Sequence, residues 1–249
     1  HRVRAINNPL AQKTFVPGWL RAVGPGWTGW AVESFMDEIA HKQNLDPIDF
    51  RLSLLDASGK NAGEAPVSVG GAKRLAKVLT DIRQQTNWGQ TLPKNQGVGI
   101  AISSGQERDM PTWGACVAHV EVDPTTGAVK VHKLTGLLDC GTVVHPDGAL
   151  AQTQGSMLWG LSLALFEGTA FEKGQVKDTN LNTYSPLRMN NLPELDISFV
   201  QNTEFPTGLG EPGLIAVAPA IANAIFNAVG ARVRDLPIRP EAILAAMPS

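Results

Sequence analysis

The stretch Thr207-Gly-Leu-Gly-Glu-Pro-Gly213 sets one carboxylate, that of Glu211, among three glycines and between Pro206 and Pro212. Proline fixes its own φ and disfavours the helical region for the residue before it, so we expect Glu211 to be extended. Glycines lack a Cβ atom, which lets another molecule approach the backbone closely. The stretch is therefore suited to holding a carboxylate against a bound ligand. A tight surface turn with a solvated acid fits these seven residues equally well.

An apolar helix is predicted directly after this loop. Pro219 suits the first turn of a helix, because its missing N–H has no helical partner there in any case. Apolar residues follow at helical spacing as far as Val229, and Gly230 is typical of a helix C-terminus. The loop thus leads into a core helix, which favours the ligand-binding interpretation.

The rest of the chain divides by its pattern near residue 96. Before it we predict helices at about 28–44, from 46 to 55 and at about 72–86, with a linker at 56–70. After it we predict a helix at 148–165 and strands at 98–102, 115–122, 128–134, 137–144 and 196–200. The sequence therefore predicts an α+β fold, with a mainly helical part at 1–95 and an α+β part at 96–249.

The first predicted helix has a clear apolar stripe. The residues that recur there at helical spacing are Val32, Phe35, Met36 and Ile39. The acidic residues that lie off the stripe are Glu33, Asp37 and Glu38.

Composition narrows the classes of function. The 249 residues are 43% hydrophobic and 18% charged, enough for a sizeable core. The formal charge of −2 provides no basic field, so no nucleic-acid partner is expected. Cys116 and Cys140 are not a metal-spaced pair, so we expect two buried free thiols and no iron–sulfur cluster or zinc knuckle. The apolar run Leu214–Phe226 contains Pro219 and Asn223, and no run is expected to span a bilayer.

Other candidate sites are weaker. Asp139, Cys140 and His145 bring an acid, a thiol and a base together, which hints at nucleophilic catalysis, but a strand end with Cys140 in the core is favoured. Gly-x-Ser-x-Gly and His-Glu-x-x-His segments are absent, and no Gly-x-Gly-x-x-Gly segment follows a predicted strand. Gln152 carries an amide that can both donate to and accept from a heterocyclic ring, although a surface amide is the simpler interpretation.

Several separated segments, which together cover nearly the whole chain, form a recognisable ordered set. They are Arg21-Ala-Val-Gly24, Glu33-Ser-Phe-Met-Asp-Glu-Ile-Ala40, Asp46-Pro-Ile-Asp-Phe-Arg51, Val120-Glu-Val-Asp-Pro-Thr-Thr-Gly127, Asp139-Cys-Gly-Thr-Val-Val-His-Pro146, Gln152-Thr-Gln-Gly155, Gly208-Leu-Gly-Glu-Pro-Gly213 and the helix at 219–229. The set resembles the large molybdenum-cofactor subunit of the xanthine dehydrogenase/aldehyde oxidase family. Within that family it is most similar to the isoquinoline 1-oxidoreductase-like branch, which includes large subunits of bacterial membrane-associated aldehyde dehydrogenases.

The resemblance implies a molybdenum-cofactor-binding domain of mixed sheets and packed helices, and it assigns roles to individual residues. Glu211 matches the general base beside the molybdenum, and Gln152 a glutamine that contacts the pterin. Gly155, in the same segment, and Gly210 match cofactor-binding positions, and Arg21 an arginine near the metal. The pterin dithiolene holds the metal in this family, so no protein ligand to molybdenum is expected.

The implied reaction is oxidation of an aldehyde or an N-heteroaromatic carbon, with water as the source of oxygen. Val23 falls where the xanthine branch places an aromatic residue against the substrate, so it is assigned to the substrate pocket and purine-like recognition is not expected. The implied cofactor is molybdopterin in its cytosine dinucleotide form. The alternative is a non-catalytic scaffold fragment that docks on a cofactor-bearing partner chain.

The resemblance also implies partners. Two family segments that bind cofactor, of Gly-Gly-Gly-Phe-Gly and Gly-Gln-Gly type, are missing, so the chain resembles the C-terminal part of the catalytic subunit. The N-terminal part is expected on another piece or chain, 2Fe–2S clusters on an iron–sulfur small subunit, and a cytochrome c subunit is a further expected partner. The implied location is periplasmic and membrane-associated, with the cytoplasm as the alternative.

Overall fold

The computed structural model describes residues 18, 20–55, 71–107 and 110–248, and the predicted α+β class is confirmed. The predicted linker at 56–70 lies outside these residues. The helices are α1 (Val23–Lys42), α2 (Pro47–Ser53), α3 (Gly71–Gln85), α4 (Pro146–Leu165), α5 (Pro212–Ile215), α6 (Val217–Val229) and α7 (Pro240–Ala246). The strands are β1 (Gln96–Glu107), β2 (Met110–Val122), β3 (Val129–Asp139), β4 (Phe171–Glu172), β5 (Gln175–Val176) and β6 (Glu194–Phe199). The division of the chain at residue 96 into two parts stays a prediction.

The main sheet has the strand order β1-β2-β3-β6, with β4 and β5 forming a separate small hairpin. β1, β2 and β3 are antiparallel neighbours, and β6 joins β3 in parallel. The separate strands predicted at 128–134 and 137–144 are wrong, because β3 runs unbroken from Val129 to Asp139. Thr135 and Gly136 keep their places opposite Val117 and Cys116 of β2, so the strand continues through the glycine.

Both faces of the sheet are covered. Alternate residues of β2 point to opposite sides, as strand geometry requires. One set packs with α4 and α6: Cys116, Ala118, Val120 and Val122. The other set packs with α3: Trp113, Ala115 and Val117. The fold is therefore a sheet between two helical layers.

Helix α6 lies unusually close to β1. A Cβ atom added at Gly99 would lie 2.2 Å from the Ala224 nitrogen, and one at Gly97 would lie 2.3 Å from the Ala224 oxygen. The missing side chains thus let the helix backbone rest directly on the strand. Because α6 is fixed in this way, the loop that precedes it is also fixed relative to the sheet.

Side chains of α6 satisfy backbone carbonyl groups on the outer edge of β1. The Nδ2 atoms of Asn223 and Asn227, one turn apart on α6, donate to the carbonyl oxygens of Ile100 and Val98 at 3.0 and 2.5 Å. An edge strand otherwise presents unpaired backbone groups. These bonds close the edge of the sheet against α6.

Helix α1 packs with its charged face inward. An apolar stripe normally faces the core, but the buried residues of α1 are Trp30, Glu33, Asp37 and Ala40. Phe35, in the apolar stripe, is 61% exposed.

The buried acids of α1 have partners, which explains this orientation. Glu33 Oε2 accepts from Arg51 Nε at 3.0 Å and from the N–H of Ile102, on the edge strand, at 2.8 Å. Asp37 pairs with Arg232 at 2.7 Å. A buried carboxylate needs such partners, and they are supplied by α2, by β1 and by the segment after α6.

The segment Pro212–Val229 corrects the expectation that no apolar run is long enough to span a bilayer. Its 18 residues have a mean hydropathy of 1.6, so within the described residues this one helical segment is long and apolar enough to cross a membrane. It is 78% buried in the fold, as a core helix is.

Candidate active site

Glu211 stands at the N-terminus of α5 and not in an extended segment. Its φ of −121° and ψ of −32° contradict the extended backbone predicted from the following proline. The reason is that Pro212 occupies the first helical position and the N–H of Leu214 donates to the Glu211 carbonyl oxygen at 3.0 Å. The helix start thus overrides the local preference of a residue before proline.

The loop before Glu211 is fastened to the sheet. The fully buried Thr112 donates from Oγ1 to the carbonyl oxygen of Gly208 at 2.6 Å, and its Oγ1 lies 2.8 Å from the Thr207 hydroxyl. The N–H of Thr207 donates to the Cys140 carbonyl oxygen at 2.8 Å. Sequence reasoning missed Thr112, and nothing in its surroundings along β2 signals this role.

The turn before α1 forms the other wall of the site. The N–H of Ala22 donates to Glu211 Oε1 at 3.0 Å. Arg21 donates from Nε to the Gly210 carbonyl oxygen at 2.5 Å and from Nη2 to the Gln152 carbonyl oxygen at 3.3 Å. The structure therefore brings together four of the residues predicted for the site, and it adds the amide of Ala22, which sequence reasoning missed.

Backbone strain is located at this turn. Ala22 has a φ of 76° and Val23 a φ of 43°, both in the left-handed region. A non-glycine residue there costs about 1–2 kcal/mol, and strain of this kind tends to cluster at functional sites. The strained turn is what aims the Ala22 N–H at the Glu211 carboxylate.

Arg21 sets a positive charge beside the carboxylate. Burial lowers the pKa of its guanidinium, and the charge of Glu211 partly offsets this shift. Since the ordinary pKa of arginine lies far above neutral, the side chain remains positive. Its Cζ also lies 5.8 Å from the ring centroid of Trp159 on α4.

Open space surrounds much of the loop. A Cβ atom added at Gly208 or at Gly155 on α4 would meet nothing within 4 Å, and one at Gly210 would meet only Gln152 Nε2, at 3.7 Å. Gly213 differs, since its Cβ would lie 3.2 Å from a side chain of α4. The prediction that the three glycines leave room for another molecule thus fits Gly208 and Gly210, whereas Gly213 serves packing.

Val23 lies in a neighbouring cavity of about 230 Å³. Its lining is mainly apolar and includes Arg21, Trp27 and Leu214. Glu211 is not among the lining residues. Arg21 borders this cavity and also bonds to the carboxylate loop.

The thiol, acid and base near residue 140 do not form a catalytic group. Cys116 and Cys140 are free and buried, as predicted. Burial raises the pKa of Cys116 to about 12 and also raises the pKa of Cys140. His145 caps α4, its Nδ1 accepting from the N–H of Gly148 at 2.8 Å. Across the described residues, no group of three or more His, Cys, Asp or Glu side chains could hold a metal ion.

The segment Gly208–Gly213 does have Gly-x-Gly-x-x-Gly spacing. It is separated from β6 by the segment 200–207, and the sheet is mostly antiparallel. A dinucleotide fingerprint needs a strand directly before it in a parallel sheet, so the glycine spacing does not indicate nicotinamide binding.

Comparison with known proteins identifies the class. Residues 67–193, just over half of the chain, match the family model of the molybdopterin cofactor-binding domain. The chain therefore belongs to the molybdopterin cofactor-binding domain family. This confirms the predicted resemblance to the xanthine dehydrogenase/aldehyde oxidase family.

Individual relatives agree with this assignment. The chain is 58% identical over 247 residues to a membrane-bound aldehyde dehydrogenase (pyrroloquinoline-quinone) of Gluconacetobacter polyoxogenes, covering 99% of the chain and 32% of that protein. It is 29% identical over 222 residues to the isoquinoline 1-oxidoreductase subunit beta of Brevundimonas diminuta, covering 89% of the chain and 26% of that subunit. The chain thus spans about a third or less of these relatives.

A solved structure shows the same fold. The aldehyde oxidoreductase of Desulfovibrio desulfuricans superposes with a TM-score of 0.73 at 18% identity, covering 92% of the chain and 41% of that protein.

Proposed function

We propose that the chain is part of the catalytic subunit of a molybdenum hydroxylase, with Glu211 as its general base. The proposed reaction is oxidation of an aldehyde or an N-heteroaromatic carbon, with water as the oxygen source. The observation that carries the proposal is a carboxylate with one anchored oxygen: Oε1 accepts from Ala22, and Oε2 has no hydrogen-bond donor among the described residues. A base needs a fixed orientation and a free oxygen within reach of the proton.

The surroundings of Glu211 fit a bulky cofactor. Gln152 is exposed on the first turns of α4, and its amide can donate to and accept from a pterin edge. Gly155 and Gly210 have no side chain to fill the space beside Gln152. We assign these three residues and Arg21, whose guanidinium lies near the metal position in the family resemblance, to cofactor binding.

The cofactor of the proposal is molybdopterin in its cytosine dinucleotide form, which when bound supplies oxygen transfer and accepts the electrons. The chain's own residues bind and orient this group and remove one proton at Glu211. The apolar wall that contains Val23 is assigned to the substrate pocket, since it adjoins Arg21.

Electrons must then leave through another chain. An iron–sulfur cluster of the 2Fe–2S type needs four protein ligands, in most cases cysteines, and this chain has two cysteines, both buried. We therefore place the clusters on an iron–sulfur small subunit and propose a cytochrome c subunit as the next acceptor. The name of the membrane-bound relative supports a membrane-associated location, and we propose the periplasmic side, with the cytoplasm as the alternative.

The test is metal analysis and cofactor identification on the purified native complex. We expect molybdenum together with a pterin that releases a cytosine nucleotide on hydrolysis. If the complex contains molybdenum but its activity does not depend on Glu211, the alternative of a non-catalytic scaffold fragment is favoured. The printed name of the Gluconacetobacter relative includes pyrroloquinoline-quinone. A quinone cofactor found without molybdenum in the purified complex would contradict the proposal.

A further inference from the structure

The apolar stripe of α1 borders an open groove of about 580 Å³. Its lining is almost entirely apolar and comes from α1, the end of α2 and β1: Ala31, Val32, Phe35, Met36, Ile39, Phe50, Leu54, Leu55 and Ile102, with Glu33 and Arg51 at its base. Phe35 is 61% exposed and Leu54 42% exposed. A large exposed apolar patch of this kind marks an interaction surface.

The rotation of α1 is fixed, so the stripe cannot turn inward. Glu33 and Asp37 occupy the inner face, where they pair with Arg51 and Arg232. Both pairs are buried. Rotating α1 would separate them and leave uncompensated charges in the interior, which is strongly destabilising. The apolar face of α1 must therefore be covered from outside the described fold.

We propose that this groove, defined by Phe35, Met36, Ile39 and Leu54, is the docking surface for the remainder of the molybdenum-binding subunit. The inference rests on the proposed function, in which this chain is one part of that subunit. The relatives supply the occupant: the chain spans 32% of the Gluconacetobacter protein and 26% of the Brevundimonas subunit. In those proteins, about two thirds or more of the polypeptide lies outside the part that aligns with this chain.

The chemistry of the groove specifies the docking segment. The charged groups at its base are already paired with each other and with backbone atoms: Arg51 Nη1 and Nη2 donate to the carbonyl oxygens of Pro47 and Glu33. The groove therefore offers contact area and few free polar groups. It selects an apolar segment, with aliphatic or aromatic side chains that reach Phe35 and Met36.

The first experiment identifies the occupant by photo-cross-linking in the complete native complex. p-Benzoylphenylalanine replaces Phe35, and a matched control replaces Leu181, which is 71% exposed and lies outside the groove. We expect the probe at 35 to cross-link to a peptide from the remainder of the molybdenum-binding subunit, and the probe at 181 not to cross-link to that peptide. Cross-links from position 35 to residues 56–70 of this chain, to a second copy, to the iron–sulfur subunit or to nothing would each overturn the proposal.

The second experiment measures burial. Phe35→Cys and Leu181→Cys are labelled with a maleimide in the complete complex, where the natural thiols Cys116 and Cys140 are buried. If docking covers position 35, labelling there requires local opening and should be at least about tenfold slower than at 181. Loss of assembly with Phe35→Cys alone would also support docking, whereas equal labelling rates in an assembled complex would overturn it. Neither readout depends on molybdenum or turnover, so failure of the docking surface and failure of the proposed function can be told apart.

Discussion

Replacing Asp139 with asparagine should destabilise the end of the sheet that holds the Glu211 loop. Asp139 is 2% exposed at the end of β3. It accepts from Arg74 Nε and Nη2 at 2.8 and 2.5 Å, from Asn202 Nδ2 at 2.8 Å and from the N–H of Gly141 at 3.1 Å. These bonds join α3, β3 and the segment after β6, and Asp139→Asn removes the charge on which all of them converge.

The expected loss follows from the burial of the pair. Breaking a buried ion pair by removing one charge costs about 3–5 kcal/mol. The Arg74 side chain is 12% exposed, so water reaches it and the lower end of the range applies. About 3 kcal/mol corresponds to roughly 6–12 °C in Tm for a chain of this size. The control is Asp81→Asn in the Lys77–Asp81 pair, whose side chains are 57% and 35% exposed, respectively; it should cost at most about 1 kcal/mol.

The pH dependence gives the Asp139 prediction a second check. Burial opposes ionisation of Asp139, but the hydrogen bonds from Arg74, Asn202 and Gly141 outweigh burial, so its pKa lies below the ordinary value. The stabilisation is therefore fully present above the unfolded-state pKa of about 3.9 and is lost as pH falls through the lower folded-state pKa. Urea unfolding followed by circular dichroism measures the difference between wild type and Asp139→Asn. A difference below about 1 kcal/mol at pH 7, or one that is undiminished at pH 2, would refute the reasoning.

Two further changes test the cofactor contact and the packing beneath the site. Gln152→Ala should lower the molybdenum content of the purified complex more than it lowers turnover per molybdenum, and an unchanged molybdenum content would contradict its role in cofactor binding. Gly99→Ala should cost at least about 1–3 kcal/mol in thermal unfolding, because its Cβ would lie 2.2 Å from the Ala224 nitrogen. Gly24→Ala, whose Cβ would meet nothing within 4 Å, is the matched control and should leave the Tm unchanged or slightly raised.

Local chemistry made much of the fold predictable. The turn at Asp123–Gly127 is an example: the Asp123 side chain accepts from the N–H of Thr125 at 2.8 Å, and Gly127 has a φ of 72°. The hairpin of β2 and β3 follows from this turn. The helix after the Glu211 loop was likewise predictable, because Pro219 falls in its first turn and Gly230 ends it.

The orientation of α1 could not be predicted, because it depends on groups distant in sequence. Periodicity shows that the helix has an apolar and an acidic side, but Arg51 and the edge of β1 decide which side turns inward. The contacts within the site could not be predicted for the same reason. Arg21 bonds to Gly210, and Ala22 to Glu211, each across 189 positions of sequence. The Ala22 N–H that holds the carboxylate is a backbone group with no sequence signature. Resemblance to a family, and not a local pattern, is what grouped Arg21 with Glu211.

The most direct test of Glu211 as the general base is turnover divided by molybdenum content for Glu211→Gln in the complete complex. The amide keeps nearly the same shape but cannot accept the proton, and loss of a general base costs about 10²–10⁴ in rate, or about 3–5 kcal/mol in activation free energy. Molybdenum content should stay near that of wild type, because no role in holding the cofactor is assigned to the Glu211 side chain. Glu211→Asp should also be slow, since it withdraws the carboxylate by one methylene. A loss of about a hundredfold or more per molybdenum is the predicted result; a ratio within a few-fold of wild type would contradict the assignment of Glu211 as the base.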